Sequence, residues 1–183
     1  TTWQYSTDNG SSWANGSGTT FTLADATYAS GHIQVKNSDA AGNTSTATSS
    51  SGELIIDTTA PLKPVITSPS SGFTNDTTPT ITGTAEASSI VKVYEGSNLL
   101  GTANLSGTSW TYTHSSALSN GTTYSITATA KDAANNLSSA SSAVSLTVDT
   151  TAPSAPTVSF PSSPSNSGTV TISLATSTGA TTW

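Results

Sequence analysis

The chain has 183 residues, of which only 8% are charged, and it carries a formal net charge of −6 with a sequence pI near 4.4. Four lysines and no arginine are too few cations for a nucleic-acid interface or a phosphate clamp. Cysteine is absent, which excludes a disulfide framework, thiolate metal sites and thiol catalysis, and no apolar run reaches the roughly 18 residues of a membrane span, so we expect no membrane insertion in this segment.

Residues 1–57 are predicted to form about the latter two-thirds of a β-sandwich domain. The segment opens on a strand at 1–6, and the turn sequence Thr-Asp-Asn-Gly at 7–10 leads to a second strand near Trp13. Further strands are predicted at 21–23, 32–37 and Leu54–Ile56. The opening strands of a sandwich are missing from this segment.

Residues 58–149 are predicted to form one complete domain. Apolar and β-branched residues alternate with polar ones in short runs, and turn sequences rich in Gly, Ser and Asn separate these runs. The predicted strands span 64–68, 78–84, 90–94, 99–105, 110–113, 124–130 and 143–148. Seven short strands of this kind are typical of an immunoglobulin-like (Ig-like) Greek-key β-sandwich.

Residues 150–183 are predicted to supply the first strands of a further domain. The run 156–160 resembles 64–68, and 168–174 resembles the second strand around Ile81. Thr1-Thr2-Trp3 recurs at 181–183, so Trp183 would take the place of Trp3 in the next domain. We therefore predict an all-β chain of tandem Ig-like sandwiches, with one complete domain between two complementary partial domains.

The two partial domains also predict the partners of the chain. The tail 154–183 carries the strands that the head 1–57 lacks, so neighbouring repeats of the same array are the expected partners, with the tail of one unit completing the head of the next. Two arrangements are open. The repeats follow one another in a continuous covalent chain, which the recurring tryptophan favours, or separate subunits exchange strands as in donor-strand complementation.

A repeated pentapeptide marks the ends of the domains. Asp-Thr-Thr-Ala-Pro occurs at 57–61 and again at 149–153, each time after an alternating apolar strand. The copies lie 92 positions apart, close to the roughly 100 residues of one Ig-like sandwich. A fixed period is the signature of a tandem array.

Further motifs accompany the pentapeptide. They are Ile-Thr-Gly-Thr-Ala-Glu at 81–86, Leu-Ser-Asn-Gly-Thr-Thr-Tyr at 118–124, Asp-Ala-Ala-Asn-Asn at 132–136 and Trp-Gln-Tyr-Ser-Thr-Asp-Asn-Gly at 3–10. Together they resemble the bacterial Ig-like tandem repeats of giant extracellular adhesins of the RTX and biofilm types, which implies a secreted or cell-surface location. Asn135 replaces the glycine found at the matching Gly42, so an asparagine has to form the left-handed turn expected there.

Three carboxylates are predicted to converge at one pole of the complete sandwich. The incoming linker and the loops after the second and sixth strands gather at that pole, which brings Asp57, Glu86 and Asp132 near one another. Such a cluster suits Ca²⁺, which takes about six to eight oxygen ligands, and members of the family that the chain resembles often carry calcium between domains. The alternative is three solvated loop acids without a metal.

A weaker metal site is predicted across successive repeats. There Asp149 would meet the next repeat's equivalent of Asp39. The corresponding loop at 177–179 is Ser-Thr-Gly and offers no carboxylate, so this second site is expected to be weak or absent.

The aromatic residues are predicted to have mainly structural roles. Trp3, Trp110 and Trp183 lie in strand-like runs and are expected in cores, whereas Trp13 lies beside a Gly/Ser turn and is a candidate for exposure. Tyr124 and Tyr28 have the positions of tyrosine corners, in which the hydroxyl bonds to nearby backbone.

No catalytic arrangement is recognisable in the sequence. His32 and His114 are isolated and have no metal-binding partner at the i,i+4 position. The serines have no nucleophile elbow, and there is no phosphate-binding loop. We therefore predict that the chain is not an enzyme and has no catalytic or cofactor-binding residues other than the calcium ligands.

The tandem period and the short proline-containing linkers predict a structural function. The chain is expected to be an extender or spacer segment of an extracellular bacterial adhesin or surface fibre, rigidified by contacts between domains and by calcium. Two alternatives are a carbohydrate- or protein-binding Ig-like module that uses exposed aromatics such as Trp13, and a strand-exchanging subunit of an extracellular filament.

Overall fold

A computed structural model describes residues 2–174 of the chain, and every regular element in this range is a β-strand. The described residues divide into two compact units. One contains the residues up to Pro61 together with Lys131–Leu137, and the other contains Leu62–Ala130 and the residues from Ser138 onward. Within the described range, no helix is long and apolar enough to cross a membrane.

The first unit contains six short strands. They are β1 (Thr2–Ser6), β2 (Ala14–Asn15), β3 (Ala26–Tyr28), β4 (Gln34–Ser38), β5 (Thr48–Ser49) and β6 (Leu54–Ile56). Four of them form an antiparallel sheet in the order β2-β1-β4-β5, and β3 pairs separately with β6. The predicted strand at 21–23 is wrong, since these residues are not in a strand and only Thr20 beside them makes an isolated bridge, to Ser17. A strand needs a hydrogen-bonded neighbour, and no other segment of residues 2–174 pairs with 21–23.

The inner face of this four-stranded sheet carries a small aromatic cluster. Trp3 and Tyr5 alternate along β1 and therefore share one face. The ring of Phe21 stacks on Tyr5 with centroids 4.2 Å apart, and it lies 5.9 Å from the ring of Trp3. All three side chains are only half-buried.

Nine strands follow between Val65 and Val148. They are β7 (Val65–Ser68), β8 (Gly72–Thr74), β9 (Thr80–Thr84), β10 (Ile90–Glu95), β11 (Asn98–Thr102), β12 (Asn104–Ser106), β13 (Ser109–Thr113), β14 (Thr123–Lys131) and β15 (Val144–Val148). All seven strands predicted between 64 and 148 are present. The predicted strand 99–105 is divided between β11 and β12, which belong to different sheets.

Sequence reasoning missed β8. This strand has three residues and begins at Gly72, whose φ of 146° lies outside the range that other residues favour. It is held by parallel pairing with β15, where Thr147 lies opposite Phe73, and by the hydrogen bond from the Ser145 amide to the Ser71 hydroxyl at 3.1 Å. Because β8 is stabilised by a strand some 70 residues away in the sequence, its own three residues show no pattern that would predict it.

Two sheets enclose the core of the second unit. One has the strand order β11-β10-β14-β15-β8 and the other β12-β13-β9-β7. Their inner faces bury the side chains of Ile81, Val91, Val93, Trp110, Ile126, Ala128, Leu146 and Val148. This arrangement is an Ig-like β-sandwich, so the predicted fold class is confirmed.

The tail forms a separate hairpin-like pair of strands. β16 (Thr157–Ser159) and β17 (Thr171–Ser173) are antiparallel, with Val158 opposite Ile172. Both of these side chains are exposed, as are the flanking apolar residues Phe160, Val170 and Leu174. The prediction for Trp183 concerns a residue outside the described range.

Candidate functional site

The exit of the first unit is fixed by hydrogen bonds. The Asp57 carboxylate accepts the amide of Thr59 at 3.0 Å, which closes a local turn. The Asp25 carboxylate accepts the amide of Thr58 at 3.1 Å and the Thr58 hydroxyl at 2.8 Å. These bonds, led by the one from the Thr58 amide, lower the pKa of Asp25 from its ordinary value of 3.8.

The exit of the second unit repeats this arrangement. Asp149 accepts the amide of Thr151 at 2.9 Å, and the side-chain oxygen of Asn120 accepts the amide of Thr150 at 2.8 Å. The Asn120 side chain also donates to the Thr151 hydroxyl at 2.9 Å. We call each arrangement an exit clamp: Asp25 on residues 58–59 in the first unit, and Asn120 on residues 150–151 in the second.

Tyrosine corners lie directly after the two clamp residues. The Tyr28 hydroxyl donates to the carbonyl of Ala24 at 3.1 Å, and the Tyr124 hydroxyl accepts the amide of Ser119 at 2.8 Å. The prediction of two tyrosine corners is therefore confirmed. Sequence reasoning missed the clamps. They could have been predicted, because Asp25 and Asn120 occupy similar positions a few residues before Tyr28 and Tyr124.

Two equivalent loops contain the predicted ligands Asp39 and Asp132. The Asp39 carboxylate accepts the amides of Ala41 at 2.9 Å and Asn43 at 2.8 Å. The Asp132 carboxylate accepts the amide and the side-chain NH₂ of Asn136, at 2.8 and 2.9 Å. Each aspartate thus holds its own turn closed.

Charge-stabilising hydrogen bonds set the pKa of both loop aspartates. The pKa of Asp39 is lowered, chiefly by the side chain of Asn43. For Asp132, partial desolvation raises the pKa, but the bonds from Asn136 outweigh it and the net pKa is lowered. The left-handed turn is also present in both loops, with φ of 89° at Gly42 and 75° at Asn135, so the expectation that asparagine would form it is confirmed.

The three residues of the predicted main calcium site each accept hydrogen bonds from the protein. The Glu86 carboxylate accepts the amide of Leu62 at 3.3 Å, while Asp57 and Asp132 hold the turns described above. The carbonyl of Asp57, rather than its carboxylate, accepts the side chain of Asn136 at 2.9 Å within the first unit. Across residues 2–174, no group of three or more histidine, cysteine or acidic side chains is placed to hold a metal ion. Each of these carboxylates therefore already has a hydrogen-bonding role within its own unit.

Calcium binding remains a prediction with a direct test. Titration calorimetry of the unsubstituted chain is expected to give a heat of Ca²⁺ binding that is lost in Asp57→Ala and in Asp132→Ala, because both carboxylates are needed to balance the ion's charge. Asp76→Ala, which removes a carboxylate outside the predicted site, is the control and should bind as before. Equal thermal unfolding with excess calcium and with chelator would remove calcium from the account.

The aromatic candidates differ in burial. Trp110 is 1% exposed and lies in the core as predicted. Trp3 is half-buried, with its indole N–H donating to the carbonyl of Gly18 at 2.8 Å. Trp13 is also half-buried, and the ammonium of Lys36 lies 4.0 Å from the centre of its ring, a cation–π contact. These tryptophans do not make up an exposed aromatic platform.

The histidines and the first hairpin turn have local roles. A ring nitrogen of His114 lies 2.6 Å from the carbonyl oxygen of Ser116, and His32 is half-buried before β4. In the turn after β1, hydrogen bonds from the Ser12 hydroxyl and amide, with a further one from Ser6, lower the pKa of Asp8 from 3.8 to about 2. Asp8 therefore organises this turn as a charged acceptor.

A family model is similar in sequence to the sandwich of the second unit. Residues 67–150, just under half of the chain, match the family described as "Bacterial Ig-like domain". A comparison with curated protein sequences found no match.

Three solved structures are similar in part. Fibronectin(III)-like modules of Clostridium thermocellum CbhA are 14% identical with a TM-score of 0.47, covering 81% of this chain and 77% of that one. The BSP domain of a biofilm-associated protein is 21% identical with a TM-score of 0.38, covering 84% of this chain. A Bacteroides ovatus mixed-linkage glucan utilization locus protein, SGBP-B, in complex with a mixed-linkage heptasaccharide, is 16% identical with a TM-score of 0.33, covering 80% of this chain. The chain spans 26% and 35% of the lengths of the last two. Its second unit is an Ig-like β-sandwich similar in sequence to the bacterial Ig-like domain family.

Proposed function

We propose that the chain is an extender segment of an exported bacterial surface protein or fibre, in which sandwiches follow one another as a stiff spacer. The observation that carries this proposal is the repeated exit clamp. Both units end on the same pentapeptide, and in both a side chain just before the tyrosine corner grips the two threonines that follow the junction aspartate. A linker that only connected two domains would not need its threonines fixed by side-chain hydrogen bonds in this way.

Stiffness is the property that distinguishes an extender from a linked pair of binding modules. Pro61 and Pro64 restrict the backbone after the first junction, and each also restricts the residue before it. The Asp25 clamp adds hydrogen bonds to a charged acceptor, which are stronger than neutral ones. The similarity to bacterial Ig-like domains supports an extracellular location. We also propose that calcium binds at Asp57, Glu86 and Asp132, but the extender function does not depend on it.

The clamp gives the proposal a test in the intact chain. Spin labels on Cys introduced at the exposed positions Thr46 and Ser97 report the distance between the two units, and the absence of native cysteine makes the labelling specific. A stiff spacer is expected to give a narrow distance distribution. Asp25→Ala should broaden it, because the Thr58 amide and hydroxyl lose their acceptor.

The second clamp supplies a matched control. Asn120→Ala removes the equivalent acceptor at the other exit and should leave the Thr46–Ser97 distribution unchanged. Lowering the pH gives a second test of the clamp, because it protonates the Asp25 carboxylate. The pKa of Asp25 is lower in the folded chain than in the unfolded chain. The contribution of Asp25 to stability is therefore complete above the unfolded pKa of about 3.9 and is lost as the pH falls through the lower folded pKa. A broad distribution in the unsubstituted chain at neutral pH would contradict a stiff spacer.

A binding module is the second candidate, and Trp13 is the observation that favours it. Its half-buried ring and the Lys36 ammonium form a small mixed apolar and cationic surface. Ring stacking on a sugar would need more of the ring free than the Lys36 contact leaves. We therefore rank this candidate below the extender.

A further inference from the structure

Among residues 2–174, the aromatic face of the first unit lacks the covering sheet that the core of the second unit has. In β10 the inner-face residues Val91 and Val93 are fully buried beneath the opposite sheet. In β1, which likewise lies between a hairpin strand and the longer β4, Trp3 and Tyr5 remain half-buried. A shallow cleft of about 340 Å³ opens beside the ring of Trp3 and is lined by Trp3, Phe21 and Val35 among others.

The segment around Phe21 is the counterpart of β13. Gly-Thr-Thr-Phe at 18–21 matches Gly-Thr-Ser-Trp at 107–110, and both glycines have left-handed φ, 63° at Gly18 and 59° at Gly107. The bridge from Ser17 to Thr20 also repeats the pairing of Ser106 with Ser109. Phe21 thus stands where Trp110 stands in the second unit.

β13 has a partner that the Phe21 segment lacks. It pairs with β9, where Trp110 lies opposite Gly83 and Ser109 opposite Thr84. β9 in turn pairs with β7, where Ile66 lies opposite Gly83. Within residues 2–174, no strand takes the corresponding place beside Phe21.

The tail pair β16–β17 has the pairing of β7–β9. Val158 lies opposite Ile172, as Ile66 lies opposite Gly83. One face of the tail pair carries the exposed apolar residues named above, while Thr157, Ser159, Thr171 and Ser173 occupy the strand positions between them. An antiparallel pair of strands with one exposed apolar face is expected to pack that face against another sheet, as β7 and β9 do in the second unit.

We propose that the β16–β17 pair of one copy of this chain docks on the first unit of a second copy, with β17 adding antiparallel beside the Phe21 segment. The pairing of β9 with β13 sets the register: Ile172 opposite Phe21, Ser173 opposite Thr20 and Thr171 opposite Thr22. The apolar face of the pair then covers Trp3, Tyr5 and Val35 and fills the cleft.

Side-chain volumes support this register. In the second unit the large Trp110 faces Gly83, and a Cβ on Gly83 would lie 2.5 Å from its ring. In the proposed pair the smaller Phe21 faces the larger Ile172, so the reduction from Trp to Phe offsets part of the increase from Gly to Ile. Moreover, β7 pairs with β9 irregularly between Ile66 and Ser68, whereas β16 pairs with β17 in a regular register that includes Ile172.

A disulfide tests the register in the intact chain, which has no cysteine of its own. Thr20→Cys combined with Ser173→Cys places thiols on directly opposed positions whose equivalents, Ser109 and Thr84, are both exposed. Oxidation is expected to give a ladder of covalent dimers and larger multimers. Thr20→Cys with Thr171→Cys is the matched control, because a diagonal pair about 7–8 Å apart is beyond ordinary disulfide reach, and it should give no covalent multimers.

A fusion of two copies removes dependence on concentration. When residue 180 of the first copy is followed by residue 1 of the second, the threonine–threonine–tryptophan repeat is kept in phase. Ser173→Cys in the first copy and Thr20→Cys in the second should then form a disulfide within the fusion, and Ile172→Asp in the first copy should prevent it.

Three results would overturn the inference: free thiols after oxidation of the fusion, equal cross-linking of the off-register pair, or a disulfide within a single unfused chain. This inference rests on the proposed function only because it requires copies of the chain to follow one another. The docking is measured by a cross-link, and the extender function by a length or a distance distribution, so either one can be contradicted without the other.

Discussion

Trp110→Ala is expected to lower the free energy of unfolding of the second sandwich by about 3–5 kcal/mol, the range for deleting a large buried aromatic. Trp110 is 1% exposed and packs in the cluster formed by Ile81, Val91, Val93 and Ile126. With a total stability of about 5–15 kcal/mol, a single domain loses a large part of it in this variant. Urea unfolding followed by circular dichroism measures the change.

Two further variants show whether volume or hydrogen bonding is responsible. The indole N–H of Trp110 is buried without a hydrogen-bond partner, so Trp110→Phe keeps most of the packing and removes an unsatisfied donor. It should cost much less than Trp110→Ala. Ser97→Ala, at an exposed turn, is the surface control and should change stability by less than about 0.5 kcal/mol. If Trp110→Ala unfolds at the same urea concentration as the unsubstituted chain, the core has been assigned incorrectly.

Gly83→Ala is expected to destabilise the same sandwich by at least about 3 kcal/mol, above most overpacked cores. A Cβ at this position would lie 2.0 Å from the carbonyl oxygen of Val65 and 2.5 Å from the ring of Trp110. The nearer obstacle is backbone, so β7 would have to separate from β9 to make space. Thermal unfolding and amide exchange of β7 and β9 both report this.

The double variant Gly83→Ala/Trp110→Phe separates the two obstacles. It should recover little stability, because the Val65 oxygen remains in place. Gly52→Ala is the matched control, since nothing lies within 4 Å of its added Cβ and its φ is not left-handed. Full recovery in the double variant would show that the ring, not the backbone, limits the site.

The strands of the second unit could be predicted because each buries one face. Alternation in β10 and β14 is a direct consequence of packing against a second sheet. The tyrosine corners and the left-handed Asn135 were also predictable, since local sequence determines them. β8 was not, because its pairing with β15 depends on residues far away in the sequence.

The predicted site was less accessible to sequence reasoning. Counting carboxylates indicates which residues can carry negative charge, but not which oxygens already accept hydrogen bonds. Asp39 and Asp132 hold their own turns closed, and the adjacent asparagines that donate to them determine this. The predicted strand at 21–23 is wrong for a different reason: its pattern was suitable for a strand, but pairing needs a neighbour.

Small-angle scattering of fused copies tests the extender function most directly. Fusions of one to four copies, each joined from residue 180 to residue 1 to keep the repeat in phase, are expected to have a maximum dimension that grows in proportion to the number of copies, as for end-to-end sandwiches whose exits are fixed. A maximum dimension that grows only as the cube root of copy number, as for compact particles with domains side by side, would contradict the extender function.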